Sequence, residues 1–85
     1  MQVEHPRARG QIAEAARAAW TAALGHDDFD ATSSFFRVGG HSMLGAMMVK
    51  RLGEELGTTV PARVLFDHPG FDEFVDALAA GTHAR

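Results

Sequence analysis

The chain has 85 residues, 46% of them hydrophobic, and a formal net charge of −3. That is enough apolar material for one small globular domain, too much for a disordered chain, and too little length for a core plus a deep substrate cleft. Cysteine is absent, which excludes disulfides and thiolate metal sites, and the eight scattered Lys and Arg residues form no basic stripe with aromatics, which argues against nucleic acid.

No apolar run approaches membrane-spanning length, and the opening Met1-Gln2-Val3-Glu4-His5-Pro6 lacks the apolar segment of a signal peptide. A cytoplasmic protein with no membrane partner is the expectation. Residues 1–8 read as a flexible flank. Ile12, Ala15, Ala16, Ala19, Trp20, Ala23 and Leu24 then repeat at the three-and-four spacing of one helical face. This predicts a first helix over 9–24, stopped by Gly25.

Residues 25–41 form a long connection rich in turn formers, Asp27, Asp28, Asp30, Thr32, Ser33 and Ser34. A loop of this length in a small domain is functional or internally packed. Phe29, Phe35 and Phe36 argue for packing, since each fully buried Phe is worth roughly 1.5–3 kcal/mol.

A second helix is predicted over 42–56. Leu44, Met48, Leu52 and Leu56 share one face, with Gly45 and Val49 beside them. Met43, Ala46, Met47 and Lys50 lie on another. Gly57 ends the helix. Pro61 suits the first turn of a short helix over 62–66, which His68-Pro69 terminates. A last helix starts near Phe71, with Gly70 as N-cap, Asp72 and Glu73 at the positive helix end, and Phe71, Phe74, Val75 and Leu78 as its apolar face. Residues 81–85 read as a frayed tail. The fold class is all-α: a bundle of three main helices and one short one, with the domain over 9–80.

The stretch Phe35-Phe36-Arg37-Val38-Gly39-Gly40-His41-Ser42-Met43-Leu44 draws the functional question to Ser42. It reads as an anchored loop, a flexible diglycine hinge, an exposed hydroxyl and a helix. Three roles for the serine stand open. Catalysis would need a base within reach and a group to orient it. His41, its neighbour, points a different way at a helix entry, and no strand or Gly-x-Ser-x-Gly elbow is present. A plain helix N-cap would explain the serine but neither the diglycine nor the double Phe. Covalent modification fits the remainder: a helix N-terminus favours a phosphate, and the glycines leave no side chain in the path of a modifying enzyme.

Phe35-Phe36-x-x-Gly39-Gly40-His41-Ser42 resembles the attachment motif of peptidyl carrier proteins, the thiolation domains of non-ribosomal peptide synthetases. Trp20 and Leu24 are similar to the end of that family's first helix, and Leu65-Phe66-Asp67-His68-Pro69 to its third-helix signature. The resemblance spans nearly the whole chain. It implies an acyl-carrier-like four-helix fold and a non-catalytic carrier. It implies a 4′-phosphopantetheine arm, derived from coenzyme A, on Ser42, whose thiol holds an aminoacyl or peptidyl group as a thioester. Gly39, Gly40 and His41 would frame the attachment point. The partners implied are a phosphopantetheinyl transferase, an adenylation enzyme, and a condensation, tailoring or thioesterase enzyme, with the carrier itself a monomer.

The chain departs from the pattern at Ser34, where an acidic residue is usual, at Val38 for Leu, Gly45 for Ala, Gly70 for Thr, and Met47 for a polar or basic residue. Gly45 is expected to weaken its helix by about 1 kcal/mol and to loosen its partner-facing end. His41, where fatty-acid carriers have Asp, and the mixed charges of the second helix place the resemblance nearer the peptidyl type. Partners are expected on Met43, Ala46 and Met47, with Lys50 and Arg63 at the rim; core packing is the competing role for the two methionines. A competing function is an unmodified helical adaptor binding through Met43 and Met47, and another is a hydrolase fragment. His5, His26, His68 and His83 show no metal-ligand spacing.

Overall fold

The alanine-rich first segment folds as expected. In the computed structural model, which describes residues 8–81, helix α1 runs Arg9–Leu24, α2 Ser42–Leu56, α3 Ala62–Asp67 and α4 Phe71–Ala80. The expected flank and frayed tail lie outside the described residues except for Ala8 and Gly81. The Ala8 carbonyl accepts the first bonds of α1, from the Gln11 and Ile12 N–H groups, and the Gly81 N–H closes α4 on the Leu78 carbonyl. The short helix extends one residue beyond its expected end, to Asp67, because the N–H of His68 still reaches the Val64 carbonyl at 3.0 Å.

Trp20 sits at the centre of the core and is fully buried. Its ring centroid lies 5.3 Å from Phe29, 5.1 Å from Phe35, 5.0 Å from Phe71 and 6.2 Å from Phe74. Phe35 and Phe71 meet it edge to face, the arrangement that ring quadrupoles favour, worth about 0.5–1.5 kcal/mol per pair beyond area burial. Two of these rings come from the α1–α2 loop. The loop is therefore part of the core, as its aromatics foretold. Phe36 is the exception: it is 37% exposed and stacks instead on Phe66 of α3, with centroids 5.8 Å apart. The cost of this aromatic packing is one donor, Trp20 Nε1, buried without a partner among the described residues.

The loop is also stitched to the α3–α4 connection. Phe35 N–H donates to the Pro69 carbonyl at 2.8 Å, Phe71 N–H to Ser33 at 2.9 Å and Asp72 N–H to Ala31 at 3.0 Å. Ser34 and Gly70 thereby form an isolated antiparallel bridge, the only extended pairing among the described residues. Upstream, Asp30 Oδ1 collects the Thr32 N–H, the Thr32 hydroxyl and the Ser33 hydroxyl, and these bonds hold its carboxyl below the usual carboxylate range, the Thr32 hydroxyl contributing most. Arg9 bridges α1 to Asp72 and Asp76 of α4 on the surface.

Helix α2 buries Gly45, Met48, Val49, Leu52 and Gly53. Leu44 and Leu56, expected on the same face, are half-buried at its edges. The two glycines allow close approach: a Cβ on Gly45 would lie 2.9 Å from a Leu65 methyl of α3, and one on Gly53 would lie 2.5 Å from the Thr58 carbonyl. Gly45 thus seats α3 against α2, a packing role beside the helix-weakening one expected of it.

Candidate functional site

The segment leading into α2 is held on both sides. Arg37 and Val38 donate their N–H groups to the Ser34 carbonyl, at 3.0 and 3.2 Å. Gly39 has φ +117°, a conformation that L side chains rarely adopt. Gly40 donates its N–H to the Phe35 carbonyl at 2.9 Å, and a Cβ there would lie 2.3 Å from two atoms of the Phe35 ring. The expected flexible hinge is thus corrected: the first glycine sets a backbone turn and the second lets the chain lie flat on a buried aromatic.

His41 comes next in an extended conformation (φ −148°, ψ 178°) and occupies the N-cap position, with no side-chain cap bond. Its carbonyl accepts the Gly45 N–H at 2.8 Å. Ser42 is therefore the first helical residue, and the N-cap role weighed for it is corrected. Its side chain is exposed, and its hydroxyl makes no hydrogen bond among the described residues. Neither His41 nor any carboxylate is bonded to it, so no triad geometry exists there.

The first turn of α2 carries no acidic residue and no side-chain cap. A helix's first turn leaves N–H groups without intrahelical partners and carries a partial positive charge, and Ser42 stands in that turn. An anionic phosphodiester on its side-chain oxygen fits this field. No group of three or more His, Asp or Glu suited to a metal is found among the described residues.

Met43 and Met47 are 68% and 59% exposed. Ala46, Lys50 and Arg63 are exposed too, and Lys50 pairs with Glu54 one turn on, at 3.2 Å. Phe36 and Phe66, missed as surface residues, stack on each other and give the loop and α3 an exposed apolar pair. The signal for them is faint, because each adjoins a Phe or Leu that is buried. Also missed is His26, whose ring bonds the Val38 carbonyl; a lone histidine in a polar loop has no period to reveal it.

Comparison with known proteins decides the family. The profile described as the phosphopantetheine attachment site matches residues 14–78. This chain belongs to that family. The carrier domain is similar to a solved structure titled non-ribosomal PCP domain, with a TM-score of 0.67 and 30% identity, covering 87% of this chain and 92% of that one. It is 33% identical over 72 residues to a linear gramicidin synthase of Brevibacillus parabrevis, covering 85% of this chain and 1% of the synthase. It is 43% identical over 60 residues to malpibaldin synthetase of Mortierella alpina, covering 71% of this chain and 1% of that protein. Phosphinothricin tripeptide synthetase of Streptomyces viridochromogenes matches at 33% over 65 residues, covering 76% of this chain and 6% of its own length. The carrier domain thus spans a few hundredths of these relatives. Its four-helix fold is that of an acyl carrier, and its family binds 4′-phosphopantetheine covalently. The family is one of carrier domains, and the solved structure and the synthetases this chain resembles are named for non-ribosomal peptide synthesis. No described helix is long and apolar enough to cross a membrane.

Proposed function

We propose that Ser42 is the attachment point and that the domain is a non-catalytic shuttle for an aminoacyl or peptidyl group. The observation that supports this most is the Ser42 hydroxyl itself: exposed, unbonded and presented on the first turn of a helix anchored through Met48, Val49 and Leu52. In the loading step the Ser42 oxygen attacks the pantetheine-side phosphorus of coenzyme A. One phosphorus–oxygen bond forms, the diphosphate linkage breaks, adenosine 3′,5′-diphosphate leaves, and the hydroxyl proton passes to a base of the transferase. The arm, when bound, supplies a terminal thiol for thioester formation.

This chain's own residues present and steer. Gly39 and Gly40 keep the approach free of side chains, His41 flanks it, and α2 fixes the direction of departure. A phosphopantetheinyl transferase, an adenylation enzyme and an accepting condensation, tailoring or thioesterase enzyme would dock in turn on Met43, Ala46 and Met47. Lys50 and Arg63 would lie at the rim. Methionine suits a surface that several partners must share, because its unbranched side chain repacks. High effective concentration of the tethered group is what the carrier adds to each transfer.

The test is incubation with coenzyme A and a broad-specificity phosphopantetheinyl transferase, then intact mass. Wild type gains one arm; Ser42→Ala gains none and unfolds at the same urea concentration, within about 0.5 kcal/mol, because an exposed, unbonded hydroxyl stabilises nothing. An unmodified wild type would favour the adaptor reading.

A further inference from the structure

We infer that His26 is a positioning residue for the modification of Ser42, holding the approach peptide through the Val38 carbonyl; this rests on the reading of Ser42 as the attachment point. The ring lies two residues beyond the end of α1, just after the Gly25 cap, and bridges the two ends of the long loop. Its Nδ1 faces the backbone N–H of Asp28 at 3.0 Å, and its Nε2 faces the carbonyl oxygen of Val38 at 2.8 Å. A backbone N–H can only donate and a carbonyl can only accept. Nδ1 is therefore the acceptor and Nε2 carries the hydrogen, which assigns each nitrogen one task.

The bond to Val38 matters because the next residue is Gly39. Glycine permits φ +117° at position 39 but does not enforce it. The Val38 N–H is fixed by the Ser34 carbonyl, and Gly40 by Phe35, so between Ser34 and Gly40 the peptide joining Val38 to Gly39 is the link that the loop's own backbone bonds leave to turn. His26 fixes its carbonyl. A Cβ on Gly39 would lie 3.8 Å from Nε2, so the ring sits beside this residue without crowding it. Three residues after Gly39 comes Ser42, and a turn of the peptide is passed on to the entry of α2 and to the direction of the hydroxyl.

His26 is exposed and lies outside the hydrophobic core, so it can be replaced without opening that core. Two near-isosteres separate its two bonds. His26→Gln places an amide N–H where Nε2 was and keeps the donor to Val38. His26→Asn places an oxygen where Nδ1 was, keeps the acceptor for Asp28, and falls short of Val38. Steady-state loading of the 85-residue chain from coenzyme A by a phosphopantetheinyl transferase is measured for wild type, Asn, Gln and Ala, beside thermal unfolding of each. His26→Asn and His26→Ala are expected to lose about tenfold in kcat with KM within about twofold, as befits a reacting oxygen misplaced after docking. His26→Gln is expected to stay within about twofold of wild type, with a melting temperature no higher than that of His26→Asn. Equal loading of the Asn and Gln variants, fast or slow, would overturn the assignment while leaving Ser42 intact as the site. A wild type that takes up no arm would overturn both.

Discussion

Gly39 and Gly40 are neighbours with different physical reasons to be glycine. At Gly39 the constraint is the positive φ; a Cβ would meet only ordinary contact with His26. Gly39→Ala should cost about 1–3 kcal/mol of backbone strain. At Gly40 the constraint is space, with the Phe35 ring 2.3 Å and the Phe35 carbonyl 2.7 Å from any Cβ. Gly40→Ala should cost about 1–3 kcal/mol of overpacking. A double-mutant cycle distinguishes them: Phe35→Leu should restore part of the Gly40→Ala loss in urea unfolding, with a coupling of about 0.5–3 kcal/mol, and none of the Gly39→Ala loss. Additive effects at Gly40 would contradict the contact described.

At the scale of elements, α2 is the part that function uses, and its far end can be altered without touching its mouth. Gly53 lies eleven residues after Ser42, about 16 Å along the helix axis. A methyl there meets the Thr58 carbonyl at 2.5 Å and the Val60 nitrogen at 3.3 Å, both backbone. Gly53→Ala should therefore lower stability by about 1–3 kcal/mol while the loading rate of the folded protein stays at the wild-type value. The loop behaves differently, because Asp30 organises it by charge. Its carboxyl titrates below the usual 3.8, so the bonds to Thr32 and Ser33 stabilise the fold fully above that range and are lost as pH falls through the depressed value. The stability gap between wild type and Asp30→Ala should accordingly close as pH falls from the usual 3.8 through the depressed value; a gap that widened on acidification would reverse the sign and refute the loop's account.

These elements differ in how far the sequence reveals them. The four helices are legible because their signals are local: apolar residues at three-and-four spacing, Gly25 and Gly57 as stops, Pro61 and Gly70 as starts. Ser42 is legible because its motif is contiguous. The clamps around it are not. Phe35 to Pro69 and Phe71 to Ser33 are bonds between segments more than thirty residues apart, and no periodicity records them. Gly40 looks like a hinge in the sequence because composition shows that a side chain is absent but not what occupies its place. Gly45 looks like a weakness for the same reason, until Leu65 is set against it.

Across the whole molecule, one aromatic cluster does two jobs. Trp20 gathers rings from the loop and from α4, and Phe35, one of those rings, is also the floor on which Gly40 lies. The core and the presentation of Ser42 are therefore continuous, because the buried rings hold the backbone that leads into the helix mouth. The other two serines sit differently: Ser33 exchanges bonds with Asp30, and Ser34 is partly buried at the bridge to Gly70. The most direct measurement is proteolytic mapping, by tandem mass spectrometry, of wild-type protein treated with coenzyme A and transferase. The whole phosphopantetheine signal is expected on Ser42; an arm on Ser33, Ser34 or any other residue, or no arm at all, would contradict the account.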